Sequence, residues 1–243
     1  AFFLGIILTG ILGFIIERTF LRPMVGEPVF SVAVLTIGID ILLRVVLDNW
    51  IGINPKYMGD PFPSFGNFGS LNIGGLTIKY LEVTALITSL LLIFVLSVFF
   101  KKSKYGVAMR ATSLDQEAAL AQGINVGRVF GLVWFIAGLL AAFAGFFITG
   151  GFNTLTNSSF ISALRALPAV VIGGLDSITG AVIGSLIIGL TQAYVGYYQF
   201  DIESAYNIKL GNGFSIVAPY LIMFVILLIK PHGLFGTEEV ERA

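Results

Sequence analysis

The chain has 243 residues, 56% hydrophobic and only 12% charged, with 14 basic and 14 acidic side chains, no cysteine and one histidine. Soluble domains typically carry about 25% charged residues, so this composition excludes an ordinary soluble fold and predicts a polytopic helical membrane protein; the mean hydropathy of +0.94 agrees. Zero net charge gives no long-range field for nucleic acid, and the lack of cysteine excludes disulfides and thiolate metal sites.

A spanning helix needs roughly 17 to 25 mostly apolar residues. Residues 2–16 open inside an apolar run without Met or a charged flank, which reads as a fragment beginning within a helix and contains no readable signal peptide. The next span, 29–47, carries Asp40 and Arg44, which with Asp48 form a stripe spaced four apart. An unpaired charge at the bilayer centre costs at least ~2.5 kcal/mol, so these groups must pair, face the bundle interior or snorkel to the interface. A helix-fixing Asp40–Arg44 pair is one reading; contact with a passing substrate is the sharper one.

Residues 49–80 are rich in Gly, Pro, Asn and Phe and predict an irregular outer loop with a short hairpin, either a connector or a docking surface. Residues 81–100 and 126–148 are the cleanest spans. The apolar tract 160–195 is broken at Gly173-Gly174-Leu175-Asp176-Ser177 and predicts two short helices; the first, 160–172, either crosses or is re-entrant. Asp176 is placed to cap the second helix or to meet Arg165. Gly180 with Gly184, and Ala181 with Ser185 and Gly189, lay a stripe of small residues along it, which suits close helix packing or, alternatively, a path lined by backbone polarity. Residues 214–229 close the series.

Alternating spans put Arg18, Arg22, Lys101, Lys102, Lys104, Arg110, Arg128, Lys230 and Arg242 on one side, and only Lys56, Lys79 and Lys209 on the other. By the positive-inside rule the crowded side, including the C-terminus, is cytoplasmic. Trp50, Tyr57, Tyr80, Tyr194, Tyr197 and Tyr198 fall near the proposed outer ends, at headgroup level.

Between two long spans lies the polar, basic island 101–128, KKSKYGVAMRATSLDQEAALAQGINVGR. Ser113 with Gln116 three residues on has the spacing of a capping box, and Asp115 and Glu117 in the first turn complement the helix dipole. Ala118, Ala119 and Ala121 favour helix, and Gly123 ends it. A short, smooth, capped cytoplasmic helix suits the groove of a soluble partner; as a bare pattern it is also compatible with a connector.

Glu117 to Gly123, EAALAQG, resembles the coupling motif of ATP-binding-cassette importer permeases. Tyr105-Gly106, Met109-Arg110-Ala111, Asp115, Glu117-Ala118-Ala119 and Gly123-Ile124-Asn125-Val126 to Arg128-Val129 more specifically resemble the branched-chain amino-acid permeases of the Liv type. Glu17-Arg18 with Leu21-Arg22-Pro23, the block Gly173-Gly174-Leu175-Asp176-Ser177 with Gly180-Ala181 and Gly184, and Lys230-Pro231 with Gly233-Leu234-Phe235-Gly236 resemble further blocks of that family in the same order. The general motif continues with Ile and Leu-Pro where this chain has Val133, Phe135 and Ile136, and N-terminal helices expected in the family are missing.

The resemblance implies an all-α transmembrane helical bundle, a single permease domain over residues 1–243. It also implies a second related permease, two cytoplasmic ATPases docked on residues 117–123, and an extracytoplasmic binding protein delivering leucine, isoleucine or valine. Asp115, Glu117, Ala118, Ala119 and Gly123 are the coupling candidates; Asp40, Arg44, Gly173, Gly174, Asp176, Gly180 and Gly184 are structural or translocation candidates. No catalytic residue, cofactor or metal is implied, because the chain has no phosphate-binding loop and no nucleophile, base or carboxylate pair placed for hydrolysis. Importers of urea, short amides or other amino acids share these blocks, and a secondary transporter is the rival from another class.

Overall fold

The computed structural model describes residues 2–57, 59, 70–73, 76–150, 154–155, 163–164, 166–207, 209, 211 and 213–236, without the side chains of Val29 and 71–77. Among these residues, five helices are long and apolar enough to cross a membrane: Phe2–Met24, Phe30–Ile51, Tyr80–Lys102, Val126–Thr149 and Ile178–Tyr206. The all-α, polytopic expectation holds. The chain forms two compact units, Ala1–Asn157 and Ser158–Ala243.

In the first unit, α1 (Phe2–Ile16) ends where the apolar run ends, yet the chain keeps winding through a π-helical segment, Glu17–Leu21, and a 3₁₀ turn, Arg22–Met24. These residues fall between the two spans expected at 2–16 and 29–47. Pro23 sits near the start of the 3₁₀ turn, where its missing N–H is not needed. Helix α2 (Val29–Ile51) follows, running one turn beyond the expected end. Strand β1 (Lys56–Tyr57) lies in the outer loop, and β2 (Ser70–Ile73) and β3 (Leu76–Lys79) pair as the expected hairpin, with Ile73 opposite Leu76. Most of the remaining expected outer loop, including 60–69, lies outside the described residues.

Helix α3 (Tyr80–Lys102) buries none of its residues, and its apolar side chains cover every side. Such a surface belongs in lipid or against other helices rather than in water. Two helices of the polar island follow, α4 (Lys104–Leu114) and α5 (Gln116–Ala121), before α6 (Val126–Thr149) and strand β4 (Thr154–Leu155), which pairs antiparallel with β1.

Helices α1 and α6 form the seam of this unit. A Cβ at Gly13 would lie 2.5 Å from the Trp134 carbonyl oxygen, and one at Gly138 would lie 2.5 Å from that of Thr9. Lipid tails are as apolar as Leu, so the helices gain from close van der Waals contact instead of water exclusion, and glycine permits that approach. Ile16, Leu21 and Ile39 form a small buried cluster where α1, the π segment and α2 meet, with Trp134 of α6 packed on it.

The second unit is a helical hairpin with a third helix against it: α7 (Ala166–Gly173), α8 (Ile178–Tyr206) and α9 (Phe214–Ile229). The break falls at the glycines, as expected. The described residues 163–164 are also helical, and Arg165 between them and α7 lies outside the described residues, as the start of this segment does. Residues 160–162, on which the choice between crossing and re-entry also rests, lie outside the described residues.

Helix α8 runs three turns beyond the expected 195, so Tyr194, Tyr197 and Tyr198 stand within it instead of at its end. Tyr194 and Tyr198 stack with ring centroids 6.0 Å apart. The extension is fastened by Gln199, buried, which donates to Glu203 at 2.9 Å and to the Gly211 carbonyl at 2.6 Å.

Candidate functional site

The polar island is built from three caps in succession. Ser103 ends α3 and starts α4, its hydroxyl accepting from the Gly106 amide at 2.9 Å. A Cβ at Gly106 would lie 2.6 Å from the Phe99 carbonyl oxygen, so a glycine is what lets α4 turn so tightly off α3. The Arg110 guanidinium donates to the Phe100 carbonyl and ties the corner. Met109 and Thr112 point inward from α4 and are buried.

Asp115 then adopts an extended conformation, φ −159° and ψ 113°, ends α4 and caps α5 by accepting from the Ala118 amide at 2.9 Å. Ser113 is not the cap. It belongs to the last turn of α4, where its hydroxyl donates back to the Arg110 carbonyl at 2.9 Å, so the capping box expected from Ser113 and Gln116 does not form. An aspartate at this position serves equally well, adding a negative charge at the positive end of the helix.

Gly123 stops α5 as expected, with φ +79°. Its amide donates to the Leu120 carbonyl at 2.9 Å, and the Ile124 amide donates to that of Ala119 at 3.0 Å. That pair of bonds is a Schellman motif, which needs the left-handed conformation glycine adopts freely. Asn125 immediately caps α6, accepting from the Arg128 amide at 3.0 Å. The connection from α5 to α6 is therefore short and closely hydrogen-bonded.

The helix does not offer one smooth alanine face. Ala119 points inward and is 3% exposed, whereas Glu117 and Ala118 point outward. Leu114 is 88% exposed and Leu120 58%, so two leucines frame the outward face of a six-residue helix. Exposed apolar anchors on a polar island mark a contact surface more strongly than scattered exposed leucines on a lipid-facing helix.

Behind α5, Glu17 and Arg22 meet. Glu17 is 1% exposed and Arg22 36%; Nε of Arg22 donates to Oε1 of Glu17 at 3.2 Å and Nη2 donates to Oε2 at 3.0 Å. The same Nη2 donates to the Gly127 carbonyl, 105 residues away in sequence, at 2.8 Å.

In the second unit the glycine block is a backbone-to-backbone contact. A Cβ at Gly173 or Gly180 would overlap the other residue's carbonyl, and one at Gly184 would overlap the Ala169 carbonyl oxygen. Gly174 has φ +104° and meets Gly236, whose amide nitrogen would lie 2.5 Å from an added Cβ. The C-terminal turn returns to this point. Leu234 and Phe235 donate their amides to the Ile172 and Gly173 carbonyls at 2.7 and 3.1 Å, satisfying carbonyls that the end of α7 leaves unpaired.

Leu234 packs on the cluster of Ala169, Ile172 and Ile188. Ser177, rather than Asp176, caps α8, accepting from the Gly180 amide at 3.0 Å. Asp176 lies beside the Gly236 turn, its Oδ1 3.4 Å from an added Cβ there. Arg165, the expected alternative partner of Asp176, lies outside the described residues.

Asp40 and Arg44 do pair. Nε of Arg44 meets Oδ2 at 2.9 Å and Nη2 meets Oδ1 at 3.0 Å, one turn apart on α2. This ion pair joins two side chains on one helix and neutralises charge along α2.

The chain matches the family described as "Branched-chain amino acid transport system / permease component" over residues 1–229. It belongs to that family. The permease is 28% identical over 243 residues to the high-affinity branched-chain amino acid transport system permease protein BraD of Pseudomonas aeruginosa, covering 100% of this chain and 76% of that protein. It is 30% identical over 245 residues to the permease protein LivH of Escherichia coli K12, covering 98% and 74%. A probable branched-chain amino acid transport permease protein LivH from Methanocaldococcus jannaschii is 27% identical over 223 residues, covering 90% and 68%. No solved structure gives a significant match.

Two pairs of the sequence blocks that resembled this family are brought together in the permease. The early turn 17–23 meets the start of α6, and the glycine block meets the C-terminal turn. Neither contact followed from the local sequence. The signals were present all the same: an acidic residue directly after an apolar run, and Gly127 with Gly131 one turn apart at the opening of a span.

Proposed function

We propose that the chain is the membrane-spanning subunit of an ATP-binding-cassette importer that carries leucine, isoleucine and valine inward, with residues 1–243 acting as one permease domain. The family match across residues 1–229 carries this reading. A second permease completes the pathway, two separate ATPase subunits dock on α5, and a binding protein delivers substrate at the outer surface. The permease breaks no bond itself. Its mechanism is alternating access, in which nucleotide-driven closure of the ATPases moves α5 and, through the short link at Gly123–Asn125, the spanning helices.

Within this reading Glu117 and Ala118 meet the ATPase, Asp115 and Gly123 hold the helix ends, and Ala119 seats the helix on its own chain. Gly173, Gly174, Gly180, Gly184 and Asp176 hold the second unit together, and Asp40 with Arg44 neutralise one another along α2. The basic island faces the cytoplasm of a prokaryotic inner membrane and the C-terminus lies on the same side, by the positive-inside distribution. Lys56→Cys then labels with an impermeant maleimide from outside intact cells and Lys102→Cys does not; the reverse pattern overturns the orientation.

The transport test uses proteoliposomes containing the permease pair, its ATPases and its binding protein. ATP-dependent uptake of labelled leucine and valine, with none of labelled urea, is the expected result. Uptake of urea in place of leucine reassigns the substrate, and leucine uptake driven by an ion gradient without ATP overturns the class.

A further inference from the structure

Glu17 is a carboxylate buried to 1% exposure, held by an arginine that also grips another helix. Space for it is made by two glycines. A Cβ at Gly131 would lie 3.2 Å from Oε2 of Glu17 and 2.7 Å from the Phe14 ring, and one at Gly127 would lie 3.4 Å from Cζ and Nε of Arg22. Gly127 and Gly131 thus form a groove along the first turns of α6 that receives the pair. Burying an ion pair is a poor way to gain stability, because desolvation offsets most of the attraction; its better-attested use is to fix a register.

The register fixed here is between the end of α1 and the first turn of α6. That turn follows directly on Asn125, the cap that succeeds the Schellman motif closing α5. Beside the pair opens a cavity of about 450 Å³, lined by Glu17 itself and Leu21, by Val32 and Thr36 of α2, by Trp134 of α6, and by Gln116 of α5. The π segment is thus tied to α6 through Arg22, while towards α2 it combines the buried cluster of Leu21 and Ile39 with this cavity. Single-turn π segments interrupting α-helices are frequently found at functional sites.

We propose that Arg22 is a positioning residue of the transport cycle: bound to both Glu17 and the Gly127 carbonyl, it makes α1 and α6 follow α5 as one body, moving against α2 across this cavity. The proposal rests on the reading of α5 as the ATPase dock. Arg22→Lys keeps a positive charge for Glu17 but lacks the planar fork that reaches two carboxylate oxygens and a carbonyl together. Glu17→Met/Arg22→Met removes both charges at similar volume and leaves no buried orphan.

The test purifies each variant with its ATPases and binding protein, and measures ATPase capture, melting temperature, ATP hydrolysis and leucine uptake in proteoliposomes. Both variants are expected to capture the ATPases and melt like the wild type, while leucine moved per ATP falls by about fivefold or more, within the range of coupling effects from residues that touch neither ligand. A wild-type transport ratio in either assembled variant overturns the proposal. Loss of ATPase capture by both also overturns it, since Arg22 then only shapes the docking surface. Failure of the wild-type permease to capture ATPases is a different result, and it sinks the docking reading itself.

Discussion

The glycines at the Glu17 end of the seam between α1 and α6 and those in the seam between α7 and α8 use their space differently. Between α7 and α8 the backbones touch, Gly173 on Gly180 and Gly184 on Ala169, and the contact is dry and internally satisfied. Where α1 passes into the π segment beside the start of α6, the glycines make room for a charged pair, Glu17 and Arg22. A backbone contact tolerates no added atom and admits one arrangement. An ionic contact in a glycine groove fixes register while its partners remain separate side chains, which suits a joint that must hold as helices shift.

The first way to break the comparison is to fill the dry seam. Gly184→Leu drives side-chain atoms into the Ala169 carbonyl, beyond what ordinary overpacking costs, so a loss of more than about 3 kcal/mol is expected. The measurement is the yield of monodisperse permease from membranes, which falls to near zero. An unchanged yield contradicts the backbone-to-backbone contact.

The second change is asymmetric. Arg22→Ala leaves the Glu17 carboxylate buried without its partner, at about 3–5 kcal/mol. Glu17→Ala strands Arg22 instead, which at 36% exposed can still reach water, so its cost is smaller. Melting temperatures in detergent should rank wild type above Glu17→Ala above Arg22→Ala; the opposite order of the two variants rules out the buried-carboxylate account.

Next in size is Gly233→Ala. Gly233 has φ +80°, and a Cβ there would lie 2.7 Å from the Val171 carbonyl oxygen, so the C-terminal turn should lift from α7 at a cost of about 1–3 kcal/mol. Hydrogen exchange at the Leu234 and Phe235 amides reports it. The smallest effect is Asp115→Ala, which removes the α5 cap for about 1 kcal/mol. Faster exchange confined to residues 116–121, with an unchanged melting temperature, is the expected signature.

The spans were legible because each is a long apolar run, and α1 and α9 end where their runs end. The break at Gly173-Gly174 was legible from glycine alone. Helix α4 was not, because KYGVAMRATSL carries mixed polarity and a glycine, and its shape is set by the corner at Phe99 and Phe100. The cap of α5 was misplaced by two residues because Ser113 and Asp115 both have capping side chains, and only the backbone of Asp115 leaves the helical region. The inward turn of Ala119, the grip of Arg22 on Gly127 and the return of Leu234 to Ile172 are tertiary, and short sequence windows do not specify them.

The central claim is that α5 presents Glu117, Ala118 and Leu120 to the ATPase and Ala119 to its own chain. The chain has no cysteine, so single-cysteine variants report cleanly. Permease variants Ala118→Cys and Ala119→Cys, assembled with ATPases carrying a cysteine-reactive cross-linker in their docking groove, give the most direct measurement. The account predicts a cross-linked permease–ATPase band from Ala118→Cys and none from Ala119→Cys; a band from Ala119→Cys with none from Ala118→Cys, or no band from either in a complex that still transports, contradicts it.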